Sequence, residues 1–321
     1  MGQEEQLYQL FPEKLKRLLV QAEIPFESLQ ELRLRAEEPV IAVVESEEWY
    51  LQEGGGRTRQ VKNAFRAGRR DLQEILERAG KYSLYAYEEE LRQGYLTLQG
   101  GHRMGISGKA VLEQGTVRSI KYVSFLNLRI AHQKKGCADQ LLPFLYNRDG
   151  HICQTLLIAP PGGGKTTVLR DLIRQVSDGN TYGRGVTVGV VDERSELGAC
   201  YMGTPQNDLG MRTDVLDCCP KAQGMLLLLR AMAPQVIAVD EIGSRKDLEA
   251  IEYVNHCGCS IIATVHGASV EDIKVRPVLR EMLQERLFER YVVLGSRKRP
   301  GEVLQIFDDR GTLLTGVRSL K

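Results

Sequence analysis

The stretch Gln154-Thr155-Leu156-Leu157-Ile158-Ala159-Pro160-Pro161-Gly162-Gly163-Gly164-Lys165-Thr166-Thr167-Val168 decides the fold. Residues 154–158 read as a strand, the glycines turn the chain, and 166–176 read as a helix. This is the phosphate-binding loop pattern in its required setting of strand, glycine turn and helix. The glycines let the backbone curl so that successive N–H groups face one phosphate. The helix N-terminus behind them adds roughly half an elementary charge. Pro160, Pro161, Gly162, Gly163, Gly164, Lys165, Thr166 and Thr167 are therefore the expected nucleotide-contacting run. Lys165 is expected to neutralise β- and γ-phosphate oxygens, and the Thr166 hydroxyl to ligate Mg²⁺. Where the strict pattern opens on Gly, this chain has Ala159, which is small enough to fit.

Downstream the rhythm is strand and helix in turn. Residues 186–192, 235–240 and 260–265 read as apolar strands, and 222–233 and 245–257 as helices. That alternation predicts a parallel sheet covered on both faces. The short segments 291–294, 303–307 and 312–317, with an Asp308-Asp309-Arg310-Gly311 turn, predict antiparallel additions at the sheet edge. The strand 235–240 ends in Asp240-Glu241 and is expected to lie beside the loop's own strand. Asp240 then joins Thr166 at the metal, and Glu241 orients or deprotonates the attacking water. Asp192-Glu193 ends another strand with a second acidic pair. His266 ends a fourth strand as a γ-phosphate sensor, since functional groups gather at the carboxyl ends of parallel strands. Asp240-Glu241-Ile242-Gly243 also fits a GTPase pattern. The chain has no Asn-Lys-x-Asp element for guanine, so ATP is favoured.

The 321 residues suffice for two domains. Residues 1–135 read as a smaller α+β domain and 136–321 as the P-loop domain. In the first, Leu7, Leu10, Leu15, Leu18 and Leu19 space as a helix interrupted near Pro12. Residues 72–79 and 87–91 also space as helices. Strands are expected over 31–35, 40–44, 48–51, 95–98, 103–112, 117–122 and 127–131. Residues 133–136 begin a linker, and 138–145 form a helix.

With 26% charged residues and a net charge of +1, no global charge points to nucleic acid or membrane. Seven cysteines, with no Cys-x-x-Cys pair, read as reduced thiols of a cytoplasmic protein. No apolar run approaches the ~18 residues of a membrane span, so membrane contact is expected to be peripheral. Residues 194–221 show no periodicity and read as a long loop in which Asn207, Asp208, Arg212, Asp214 and Asp217 offer a subunit contact. Arg57, Arg59, Lys62, Arg66, Arg69 and Arg70 form a local basic cluster without interleaved aromatics.

The order of Asp192-Glu193, Asp240-Glu241 and Ala263-Thr264-Val265-His266 resembles that in type II and type IV secretion ATPases. Several runs are similar to the stage III sporulation protein AA family of endospore-forming bacteria. They include Val191-Asp192-Glu193-Arg194-Ser195-Glu196, Pro205-Gln206-Asn207-Asp208, Arg212-Thr213-Asp214-Val215-Leu216-Asp217 and Ile261 to Gly267. Ile106-Ser107-Gly108-Lys109-Ala110 and Asn127-Leu128-Arg129-Ile130-Ala131 extend the resemblance upstream. It implies a RecA-like ATPase using ATP and Mg²⁺ and forming a ring, a hexamer, with itself. The motor would serve a channel complex in the mother cell, cytoplasmic and peripherally attached at the membrane to inner components of that complex. It also implies an arginine donated to the γ-phosphate, with Arg103 and Arg129 on N-terminal strands as candidates beside Arg194 and Arg212. Secretion ATPases usually carry Gly-Glu at the second acidic strand, where this chain has Asp240-Glu241, and that departure from the resemblance leaves Glu193 as a rival to Glu241 for handling the water. Two rivals are a nucleic-acid-stimulated ATPase and a non-catalytic nucleotide-gated scaffold.

Overall fold

The computed structural model describes residues 3–80, 94–296 and 298–316. The helix expected over 87–91 and the last residue of the strand expected over 312–317 lie outside them. The chain divides into two compact units, Met1–His132 and Gln133–Lys321.

The first unit is built on a seven-stranded antiparallel sheet. Its strands run in the spatial order Arg57–Thr58, Glu47–Leu51, Ile41–Val44, Leu29–Arg35, Thr116–Arg129, Arg103–Glu113 and Tyr95–Thr97. Alternation sends Leu32 and Leu34 to the core and Arg33 between them outward, and a register shift between Leu29 and Glu31 lets Leu29 be buried as well. Leu15, Leu18 and Leu19 of the helix Glu13–Gln21, and Leu72, Ile75 and Leu76 of the helix Arg69–Ala79, are buried in the same unit. Pro12 caps the first of these helices, as the interruption in the leucine pattern requires. Residues 117–131, expected as two strands, instead form one strand that ends at Arg129 and pairs with Arg103–Glu113 in a long hairpin. The break in the alternation is absorbed by a bulge, where Gly108 faces the Lys121 and Tyr122 carbonyls and Tyr122 takes a φ of 50°.

The second unit carries an eight-stranded sheet. Its order is Thr213–Asp217, Val188–Asp192, Val236–Val239, Ser260–His266, Thr155–Ala159, Arg290–Leu294, Val303–Asp308 and Leu313–Gly316. The first six are parallel and the last two antiparallel. Successive residues of the central strands enter two different cores. Leu157, Ala159, Ala238 and Ile262 pack with Val168, Leu169 and Leu172 of the helix Lys165–Asp178. Leu156, Ile158, Ile237, Val239 and Ala263 pack with Met225 and Leu228 of Lys221–Met232 and Leu248 and Ile251 of Arg245–His256. Helices on both faces explain why these strands are largely apolar on both sides, with Thr155 and Thr264 as buried polar exceptions.

Three expectations are corrected here. The strand Val236–Val239 does not lie beside the loop's strand; Ser260–His266 sits between them, paired with both. The aperiodic stretch 194–221 contains the edge strand Thr213–Asp217, whose half-buried residues hide the alternation that betrays a strand. Of the helix expected over 138–145, only Leu142–Leu145 is helical, preceded by turns.

Candidate nucleotide site

The strand Thr155–Ala159 ends at a loop that Pro160 and Pro161 turn outward, and Gly164 begins the helix Lys165–Asp178. Gly162 and Gly164 hold φ angles of 74° and 86°, the left-handed region that a side chain disfavours. Ala159 is buried in the core, so its methyl fills space where the strict pattern has none. The first N–H groups of the helix have no partner within it and face the loop. Apolar residues four apart, Leu169, Ile173 and Val168, Leu172, Val176, hold the helix on the sheet and fix its N-terminus there.

Across the intervening strand, the Thr166 hydroxyl donates to Asp240 Oδ2 at 2.9 Å. Thr264, fully buried on that strand, donates its hydroxyl to Asp240 Oδ1 and accepts the Glu241 N–H at 2.9 Å. The Thr264 carbonyl accepts the N–H of Ile242 at 2.9 Å. Beyond it, Asp247 of the helix Arg245–His256 accepts the N–H groups of Gly243 and Ser244 at 3.0 and 2.9 Å. The segment after the acidic strand is thus held at both ends, and Glu241 sits in it with a φ of 48°. Such backbone costs of order 1–3 kcal/mol and persists where its surroundings over-determine it.

The Glu241 carboxylate lies 3.2 Å from His266 Nε2 through one oxygen and 3.0 Å from the Arg194 guanidinium through the other. His266 Nε2 is in turn 3.5 Å from Lys165 Nζ, while its buried Nδ1 has no partner among the described residues. Nε2 faces a carboxylate and an ammonium together, so it donates to one or accepts from the other. Lys165, Thr166, Asp240, Glu241 and His266 therefore form one connected cluster at the carboxyl ends of three adjacent strands.

Glu193 is ion-paired with Lys221. Asp192 is buried and shapes the following turn by accepting the N–H groups of Glu196 and Gly198 at 2.8 and 2.7 Å. Burial pushes its carboxyl above the usual range, against the pull of those N–H groups. Arg103 and Arg129 are directly opposite each other in the first unit's hairpin. Arg103 lies over the Tyr95 ring, 3.5 Å from its centre, and Arg129 is 3.6 Å from Glu31. Arg212 donates to the Ser177 carbonyl at 3.0 Å, and Asn207 to that of Leu197 at 2.8 Å. Asp208 pairs with Lys135 at 2.5 Å.

Three arginines of the basic cluster are engaged by neighbouring side chains. Arg57 and Arg59 both lie over Trp49, at 4.7 and 4.5 Å from its ring centre, and Arg66 pairs with Glu38. Two residues escaped the sequence reading. Thr264 precedes His266 by two and shares its face of the strand, a period-two signal that was there to read. Arg170, one helical turn beyond Thr166, donates to the Glu196 and Leu197 carbonyls and ties the helix to the turn after Asp192. Nothing in its local sequence marked it.

A hydroxyl and a carboxylate within hydrogen-bond reach, beside a glycine loop and a lysine, are the hard-oxygen donor set that suits Mg²⁺ carried on phosphates.

Known proteins resemble this chain in sequence and in fold. The family described as "Sporulation stage III, protein AA" matches residues 1–314. Stage III sporulation protein AA of Bacillus subtilis (strain 168) is 40% identical over 319 residues, 98% of this chain and 99% of that protein. Among solved structures, the Legionella pneumophila ATPase DotB superposes with a TM-score of 0.56 at 16% identity, covering 88% of this chain and 76% of DotB. The pilus retraction motor PilT, solved with bound ADP, gives 0.52 at 16% identity, over 83% of this chain and 74% of PilT. At these identities the likeness concerns the fold, which is the RecA-like fold of secretion and pilus ATPases.

Proposed function

This chain belongs to the sporulation stage III, protein AA family, and from that premise we propose that it is an Mg²⁺-dependent ATPase that drives a sporulation channel complex. The observation that carries the reading is the convergence of Lys165, Thr166, Asp240, Glu241 and His266 at the carboxyl ends of three adjacent strands. In it, the loop from Pro160 to Thr167 wraps the phosphates, with backbone N–H groups supplied by Gly162 to Thr167, and Lys165 neutralises the β- and γ-oxygens. Thr166 and Asp240 hold the metal, which when bound offsets the charge developing on the phosphates. Water attacks the γ-phosphorus, the bond to the β–γ bridging oxygen breaks, and the water proton passes to a carboxylate, leaving ADP and phosphate.

Glu241 is our choice for that carboxylate over Glu193, because Glu241 shares its environment with His266 while Glu193 is engaged by Lys221. His266 senses loss of the γ-phosphate. An arginine, Arg103 or Arg129 from a first unit or Arg194 in cis, completes the site in a ring of this chain with itself, a hexamer. The ring works in the mother-cell cytoplasm, attached peripherally to the membrane complex. Among the described residues no helix is long and apolar enough to cross a membrane. The nucleic-acid-stimulated alternative is not favoured, since Arg57, Arg59 and Arg66 are engaged by neighbouring side chains.

The test pairs two substitutions. Lys165→Ala abolishes binding of a fluorescent ATP analogue, and full affinity in that variant refutes the nucleotide assignment. Glu241→Gln binds ATP and loses phosphate release; turnover lost instead in Glu193→Gln transfers the role to Glu193.

A further inference from the structure

The tail of the second unit folds back onto the phosphate loop. Between the strands Arg290–Leu294 and Val303–Asp308 the chain turns, closed by the Gly295 N–H on the Glu302 carbonyl at 2.7 Å. One arm of this turn reaches Gly163: the Gly301 N–H donates to the Gly163 carbonyl at 2.8 Å. The packing is close enough to exclude side chains. A Cβ on Gly163 would lie 2.6 Å from the Gly295 carbonyl oxygen, and one on Gly164 would lie 2.5 Å from the Gly301 nitrogen.

Gly163 does not occupy the left-handed region, unlike Gly162 and Gly164, so its φ does not demand glycine. The close approach of the turn does, together with the Pro160 carbonyl oxygen of the loop itself, 2.9 Å from where a Cβ would stand. A trans peptide sets its carbonyl and the following N–H on opposite sides. Drawing the Gly163 carbonyl toward Gly301 therefore directs the Gly164 N–H away from the turn, to the concave side of the loop where a phosphate is cradled.

Resting on the nucleotide reading above, we propose that Gly301 is a positioning residue of the nucleotide site. Its main-chain N–H presets the Gly163–Gly164 peptide for the β-phosphate of a nucleoside di- or triphosphate. The antiparallel end of the sheet thereby becomes part of the phosphate-binding apparatus. The β-phosphate is common to both nucleotides, so loss of this hydrogen bond weakens ADP and a non-hydrolysable ATP analogue alike.

The experiment measures the affinity of full-length protein for fluorescent ADP and for a fluorescent non-hydrolysable ATP analogue, with Mg²⁺, well below each variant's melting temperature. Gly301→Ala carries a Cβ 3.3 Å from Val168 Cγ2 at a φ of 80°. Gly311→Ala is the matched control, with a φ of 79°, open space around its Cβ and a place in the next turn of the same tail. Alanine keeps the N–H of residue 301 but strains the backbone that aims it, so the expected result is a loss of up to about tenfold for both nucleotides in Gly301→Ala, tenfold being the equivalent of one hydrogen bond of about 1.4 kcal/mol, with Gly311→Ala at wild-type affinity. Equal affinities in Gly301→Ala and wild type overturn the proposal, as does an equal loss in both variants, which would trace to general strain in the tail. Absence of binding in the wild type instead removes the nucleotide reading itself. Should Gly301→Ala not fold, a semisynthetic chain with an ester in place of the Pro300–Gly301 amide deletes the donor alone. Unchanged affinity in that chain refutes the role.

Discussion

Thr264→Val tests what holds Asp240 and Glu241 in place. Valine matches threonine in shape, so no cavity opens at this fully buried position and the change isolates the hydroxyl. That hydroxyl donates to the Asp240 carboxylate and accepts the Glu241 N–H at 2.9 Å. A hydrogen bond to a charged acceptor is worth about 1.5–3 kcal/mol, and stranding a donor adds a cost of similar order. The higher strand preference of valine returns a few tenths of a kcal/mol. The net expectation is a loss of about 3 kcal/mol in the second unit. With a urea slope of about 3 kcal/mol/M, the unfolding midpoint falls by about 1 M. The only tryptophan, Trp49, lies in the first unit, so its fluorescence transition stays unchanged and serves as an internal control. Circular dichroism and hydrogen exchange along Ser260–His266 report the second. Thr264→Ser keeps the hydroxyl and costs only about 1 kcal/mol for the lost methyl. If Thr264→Val unfolds within about 0.5 kcal/mol of wild type, the hydroxyl is not what secures Asp240 and the strained Glu241, and the reasoning fails.

In the first unit, burial holds the His102 imidazole down at about 4, with His132 adding to the effect, and its Nδ1 accepts the Ala131 N–H at 3.1 Å. The unfolded chain takes up this proton below about pH 6.5 while the folded chain waits until about 4, so stability is full above 6.5 and falls as pH drops through that window, by roughly 3 kcal/mol. Trp49 fluorescence during urea unfolding at pH 7 and pH 4.5 measures it, and a His102→Gln variant with an undiminished pH slope contradicts the assignment. In the second unit, a Cβ on Gly224 collides with the Val191 side chain. Gly224→Ala therefore costs about 1–3 kcal/mol by overpacking despite alanine's better helix propensity, and a rise in the melting temperature rules that contact out.

The legible parts of this protein were those whose chemistry is contiguous in sequence. The glycine run before Lys165-Thr166 needs no partner to be recognised, because its strand, turn and helix are local. The acidic end of Val236–Val239 was readable for the same reason, and so was the alternation that buries Leu32 and Leu34. Half-buried Thr213–Asp217 was not, since neither face of an edge strand beside a long loop is consistently apolar.

By itself the sequence determined that a phosphate loop, an acidic strand end and a histidine strand end exist in a parallel α/β sheet, because each is written in neighbouring residues with fixed local geometry. Only the tertiary structure decided the strand order that inserts Ser260–His266 between the loop and Asp240, and with it the role of Thr264. It also decided that Glu241 rather than Glu193 meets His266, and that a turn some 130 residues downstream lies against Gly163. These facts depend on which strands pair and in what register. Pairing is set by the whole sheet's burial on both faces, a sum over residues far apart in the chain that no local pattern contains.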